Sequence, residues 1–137
     1  MISIIYGAKG TGKTKKIIDS ANQSVLDEKG IVVFVTDTTR YTRDVKQPIR
    51  FTSVKDLAIT TEDGLVGFVQ GMLEANYDLS RVYIDGVGRI LDKKPAELGS
   101  FFARLDAIAQ KSDVTFVITV SADKADLPEF ILKYVND

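Results

Sequence analysis

Ile2-Ser3-Ile4-Ile5-Tyr6-Gly7-Ala8-Lys9-Gly10-Thr11-Gly12-Lys13-Thr14 opens the chain, and its reading decides the fold. The first five residues are short, apolar and rich in β-branched side chains, as a strand buried on both faces must be. Gly7, Gly10 and Gly12 then let the backbone turn through angles that other residues resist. Beyond the turn, Ile17, Ile18, Ala21, Val25 and Leu26 recur at helical spacing, and Gly30 closes the segment as a C-terminal cap would. The order strand, glycine turn, helix predicts the first part of a parallel βαβ unit.

The alternation continues outward. Ile31–Thr36, Arg81–Asp85 and Val114–Val120 are further apolar runs without strict alternation, and Ile49–Ser53 is a weaker fifth. Leu65, Val66, Val69, Met72 and Leu73 predict a helix over Glu62–Tyr77. Leu98, Phe101, Phe102, Leu105, Ile108 and Ala109 predict another, with Pro95 near its first turn. The end of the chain reads as a short helix from Leu127–Pro128 behind Asp126, or as a terminal strand over Phe130–Val135. Strands and helices alternating in this way predict an α/β fold of three layers, α/β/α, around a mainly parallel sheet of four to five strands. No repeat or linker divides residues 1–137, so a single domain is expected. Ligands of such sheets bind at the carboxyl ends of the strands.

Composition narrows the chemistry. A chain of 137 residues has room for one hydrophobic core. Its net charge of -1 makes the whole molecule no electrostatic trap for nucleic acid. Without cysteine there are no disulfides or thiolate nucleophiles, and without histidine the commonest general base and zinc ligand are missing. Carboxylates, hydroxyls, cations and backbone must do the work. No apolar run approaches the roughly 20 residues that span a bilayer, and the N-terminus lacks a signal-peptide core, so a cytoplasmic location is expected.

Gly7-Ala8-Lys9-Gly10-Thr11-Gly12-Lys13-Thr14 fits G-x-x-x-x-G-K-[ST] at every fixed position. In such a loop, inward-pointing N–H groups wrap a phosphate chain and the helix adds its positive dipole end. Lys13 would reach the β- and γ-phosphates, and the Thr14 hydroxyl would ligate Mg2+. Lys9, Lys13, Lys15 and Lys16 also crowd the start of a helix, where each misplaced cation costs a few tenths of a kcal/mol. A bound polyphosphate would reverse that sign.

The motif and its setting resemble the Walker A element of the P-loop NTPase superfamily. The resemblance implies the P-loop NTPase fold, with ATP or another NTP held by Gly7, Ala8, Lys9, Gly10, Thr11, Gly12, Lys13, Thr14 and Lys15. Val82-Tyr83-Ile84-Asp85 resembles a Walker B strand, which implies that Asp85 holds Mg2+ opposite Thr14. Gly86 departs from the pattern, since many P-loop ATPases carry a water-orienting Glu there. RecA-like ATPases place that carboxylate at the tip of the second strand, where Asp37 stands. The chain is therefore most similar to a minimal RecA-like ATPase, with Asp37 and Lys13 as catalytic candidates. Thr119 or Ser121 would sense the γ-phosphate.

Three functions fit these residues. One is a slow or partner-stimulated ATPase acting as a switch or motor subunit, with a protein partner or further copies of itself. Another is a small nucleoside or nucleotide kinase, in which Asp37 would activate an acceptor hydroxyl; only Lys124 and Lys133 are cations beyond Val114, which leaves it without an arginine-rich lid. The third is a non-catalytic nucleotide-binding module. A GTPase is a weaker fit, because Asp123 stands where the guanine-reading Asn/Thr-Lys-x-Asp sequence needs Asn or Thr. Arg40, Arg43, Lys46 and Arg50, with Tyr41, could meet a nucleic-acid backbone or partner, although a solvated, mobile loop is the plainer reading. Arg89 could serve as an arginine finger in the same chain or a neighbouring one.

Overall fold

The computed structural model describes residues 1–27 and 29–136. Five strands, β1 (Ile2–Gly7), β2 (Ile31–Thr36), β3 (Arg50–Ser53), β4 (Leu79–Ile84) and β5 (Thr115–Ser121), form one sheet in the order β1-β5-β4-β2-β3. Every pairing is parallel. The helices are α1 (Lys13–Asp27), α2 (Glu62–Ala75), α3 (Val87–Leu91), α4 (Gly99–Gln110) and α5 (Glu129–Leu132).

Strand order fixes which face each connection covers. From β1 the chain crosses to β2 and β3 in one direction, then returns to β4 and β5 in the other. Right-handed crossovers therefore put α1 on one face and α2 and α4 on the opposite face. The side chains agree, alternating along each strand. Val32, Phe34, Tyr83 and Val117 pack with Ile17, Ile18 and Ala21 of α1. Val33, Val35, Val82, Ile84, Phe116 and Ile118 pack with Leu65, Val69, Phe101, Phe102 and Leu105 of α2 and α4. Burial on both faces is why the strand sequences are continuous apolar runs.

Several local features differ from the sequence reading. Gly30 is no helix cap: a side chain there would collide with the backbone oxygen of Asp78 and with Ser80, so close strand approach demands the glycine. Pro95 belongs to a separate short turn, Pro95–Glu97, ahead of α4. The chain end resolves as α5, after which Tyr134 accepts one backbone hydrogen bond from Ile4 at 3.3 Å. The β2–β3 connection is docked rather than loose. Val45 and Ile49 are buried, Asn22 donates to the Asp44 carbonyl at 2.9 Å, and Asn22 Oδ1 accepts the Lys46 N–H at 2.8 Å. Among the described residues, no helix is long and apolar enough to cross a membrane.

Phe101 is fully buried and meets Phe102 edge to face at 5.4 Å between ring centres. Phe101→Ala should cost about 3–5 kcal/mol of unfolding free energy, measured by urea denaturation. A loss below about 1 kcal/mol would contradict the packing of α4 on the sheet.

Candidate functional site

The parallel register brings the carboxyl ends of β1, β5, β4 and β2 into one row. Gly7 lies beside Ser121, Ile84 beside Ile118, and Val35 beside Ile84. Connections leave β1 toward one face and β5 toward the other, which opens a crevice at that edge.

After β1 the chain turns sharply before α1 begins at Lys13. Gly10 and Gly12 take φ angles of 84° and 86°, in the left-handed region where side chains are strained. One acceptor organises the turn: the Ala8 carbonyl receives the Thr11 N–H at 3.2 Å, the Thr11 hydroxyl at 2.6 Å and the Lys13 ammonium at 3.0 Å. A methyl at Gly7 would stand 2.5 Å from the Thr11 hydroxyl, so a side chain there would push that hydroxyl out of its place on the Ala8 carbonyl. The first N–H groups of α1 have no intrahelical acceptor, and its first turn contains no acid to take them. The positive helix end therefore faces the loop. Burial lowers the pKa of Lys13, the charge of Asp85 opposes this, and repulsion from Arg89 adds to it.

Asp85 follows β4 immediately and is 1% exposed. Its Oδ2 accepts the Thr14 hydroxyl at 3.1 Å, and its Oδ1 accepts the Thr119 hydroxyl at 2.7 Å. Thr119 Oγ1 in turn accepts the Gly86 N–H at 3.0 Å. Because β5 lies between β1 and β4, Thr119 is placed to orient the carboxylate toward the loop.

Asp37 leaves β2, which pairs with β4. Its carboxylate is clasped by Arg89, which donates from Nε to Oδ2 at 3.0 Å and from Nη2 to Oδ1 at 3.2 Å. The Thr36 hydroxyl adds a hydrogen bond to Oδ1 at 3.2 Å. The same guanidinium stands 3.7 Å from Asp85 Oδ2, so it spans both acids. Burial raises the pKa of Asp37, but the hydrogen bonds and charge of Arg89 outweigh it and hold the carboxyl below its ordinary value. Hydrogen bonding to Asp37 raises that of Arg89. Gly86 supplies the geometry: its φ is 87°, and a side chain there would run into the guanidinium. The space a glutamate after Asp85 would need holds Arg89 instead.

Thr14, Asp85, Thr119, Asp37 and the Gly7–Thr14 loop thus share one edge of the sheet. Lys15 is exposed and paired with Asp19 at 2.9 Å. Lys9 and Ser121 border a cleft beside the loop. The basic residues of the β2–β3 connection lie in different surroundings. Arg40 lies 5.9 Å from the centre of the Tyr41 ring, whereas Arg50 starts β3 at the opposite end of the sheet and donates to Asn76 at 3.1 Å. Arg43 and Lys46 are exposed. The clasp formed by Arg89, and the five-residue α3 that carries it, escaped the sequence reading because so short a helix has no visible period.

Among the described residues, no group of three or more His, Cys, Asp or Glu gathers as a metal site. The Thr14–Asp85 pair nevertheless offers the oxygens that suit Mg2+, which is usually held by one or two carboxylates with water and substrate phosphates completing its shell. No family model matches the chain, and no curated protein matches it.

The clasp makes a pH prediction. A carboxylate whose pKa is depressed on folding contributes stability above its unfolded value and loses it as pH falls through the folded one. Acidification from neutral pH to below 3.8, the ordinary value, should therefore destabilise the wild type more than Asp37→Asn in urea titrations. Equal losses would mean that the pair adds nothing to folding.

Proposed function

We propose that the chain is a Mg-ATP-binding protein of the P-loop type, nearest in design to a minimal RecA-like ATPase, and a slow or partner-stimulated ATPase working as a cytoplasmic switch or motor subunit. The observation that carries this reading is the Thr14–Asp85 hydrogen bond, which joins positions 71 residues apart. The motif hydroxyl and the strand-end acid meet at 3.1 Å, within ligand-sharing distance. In this reading the N–H groups at the start of α1 bind phosphate oxygens. Lys13 exchanges the Ala8 carbonyl for a phosphate oxygen, which relieves the burial of an ammonium between Arg89 and the helix end. Thr14 and Asp85 would hold Mg2+, which when bound neutralises charge on the transferring phosphoryl group. Thr119 keeps Asp85 aimed, and Asp37 orients water.

The Arg89 clasp supports slow turnover. A carboxylate engaged by two guanidinium donors is a poor acceptor for a proton from water, so Asp37 acts only when Arg89 moves away. A protein partner, or a second copy of the chain, would supply that movement. The same clasp favours the second reading, a nucleotide-binding module without turnover.

Calorimetric titration with ATP, ADP and GTP, with and without Mg2+, tests the proposal. Mg2+ should tighten ATP binding, and Lys13→Ala should weaken it at least about tenfold, equivalent to 1.4 kcal/mol. The absence of heat with every nucleotide would overturn the reading. Phosphate release should be slow in the wild type and about a hundredfold lower in Asp37→Asn. Binding without release by the wild type would select the non-catalytic module.

A further inference from the structure

Two clefts adjoin the Gly7–Thr14 loop, and their chemistry differs. One, about 340 Å³, is bordered by Lys9, Arg89, Lys93 and Lys94 together with Thr119 and Ser121. The other, about 520 Å³, lies between the first turns of α1 and the β2–β3 connection, lined by Thr14, Lys15, Ile18, Asp19, Asn22, Tyr41 and Asp44. Both are of a size that holds small ligands. The cationic cleft adjoins Thr119 and Arg89, where the terminal phosphates of a nucleotide would lie. The second contains an aromatic ring, an isoleucine, an amide, the Lys15–Asp19 ion pair and the Asp44 carboxylate.

We propose that the second cleft takes the nucleoside half of the nucleotide, with its base laid against the ring of Tyr41; this rests on the nucleotide-binding reading above. Five observations carry it. Thr14 ends the loop and lines the cleft, with Lys15 next to it, so a ligand anchored by phosphates enters the cleft directly. Among the described residues that line the cleft, the one cation, Lys15, is already paired with Asp19 on the same wall, so no unpaired positive charge there favours further phosphate. The wall is rigid, because Asn22 bonds both the Asp44 carbonyl and the Lys46 N–H while Val45 and Ile49 are buried beneath it. Tyr41 packs in part against the α1-side core, so its ring is held in place before a ligand arrives. That preorganisation lowers the entropic cost of stacking. On the rim, the Asp44 carboxylate faces solvent with no protein donor among the described residues, an acceptor suited to the amino edge of a base.

The test compares Mg2+-ATP with Mg2+-tripolyphosphate, which has the phosphates but no base, on wild type, Tyr41→Ala and Asp44→Asn. Tyr41→Ala should weaken ATP about tenfold, the loss of one stacked base. Tripolyphosphate affinity should stay within about twofold, which also shows that the variant is folded. Asp44→Asn sits on the exposed rim and reports on the cleft without disturbing the core. A loss selective for ATP in either variant upholds the inference. Unchanged ATP affinity in both, or losses shared equally by tripolyphosphate in both, overturns it while phosphate binding by the loop stands. Wild type that binds neither ligand overturns the nucleotide reading as well.

Discussion

A carboxylate cannot be buried at a strand end unless its oxygens find donors, and at Asp85 that requirement ties three segments of the chain together. Thr14 comes from the start of α1, Thr119 from β5 between β1 and β4, and the Gly86 N–H closes the network from the other side. Each hydroxyl is held by a parallel strand or by the helix that follows one, so the sheet order itself sets the distances. Substituting any member would leave a buried polar group unpaired, a cost of about 1–3 kcal/mol. The network also aims the acid at the glycine loop, and the proposed metal site depends on that aim.

A second constraint is the left-handed turn at Gly86. It lets the chain bend into α3 within one residue and leaves room for the Arg89 guanidinium against the backbone. From there Arg89 reaches across the tip of β4 to Asp37 on the neighbouring strand. Two cations, Lys13 and Arg89, lie within electrostatic range of Asp85 and of each other, and each is held by a protein oxygen. An anion entering between them would be met by both, which is how the proposed switch would sense its ligand.

Much of this was legible in the sequence because burial on both faces leaves continuous apolar runs, and all five strands were bounded to within about two residues. The glycine loop was legible for a similar reason, since only Gly10 and Gly12 tolerate its left-handed angles. Asp37 and Asp85 could be placed at strand tips, but their link through Arg89 could not. It depends on β2 lying beside β4, a fact of strand order that no local pattern encodes. The docking of the β2–β3 connection was hidden likewise, because Asn22 makes its hydrogen bonds to residues 22 and 24 positions away. Turn-rich composition alone pointed to a loose loop; two buried side chains, Val45 and Ile49, made it part of the body.

The role of the Gly7–Thr14 loop is tested most directly by nuclear magnetic resonance of backbone amides during titration with Mg2+-ATP. Binding there should move the signals of Gly10, Gly12, Lys13 and Thr14 most, together with Gly86 beside Asp85. Saturable binding that leaves those amides unmoved would contradict the assignment of this loop as the phosphate site.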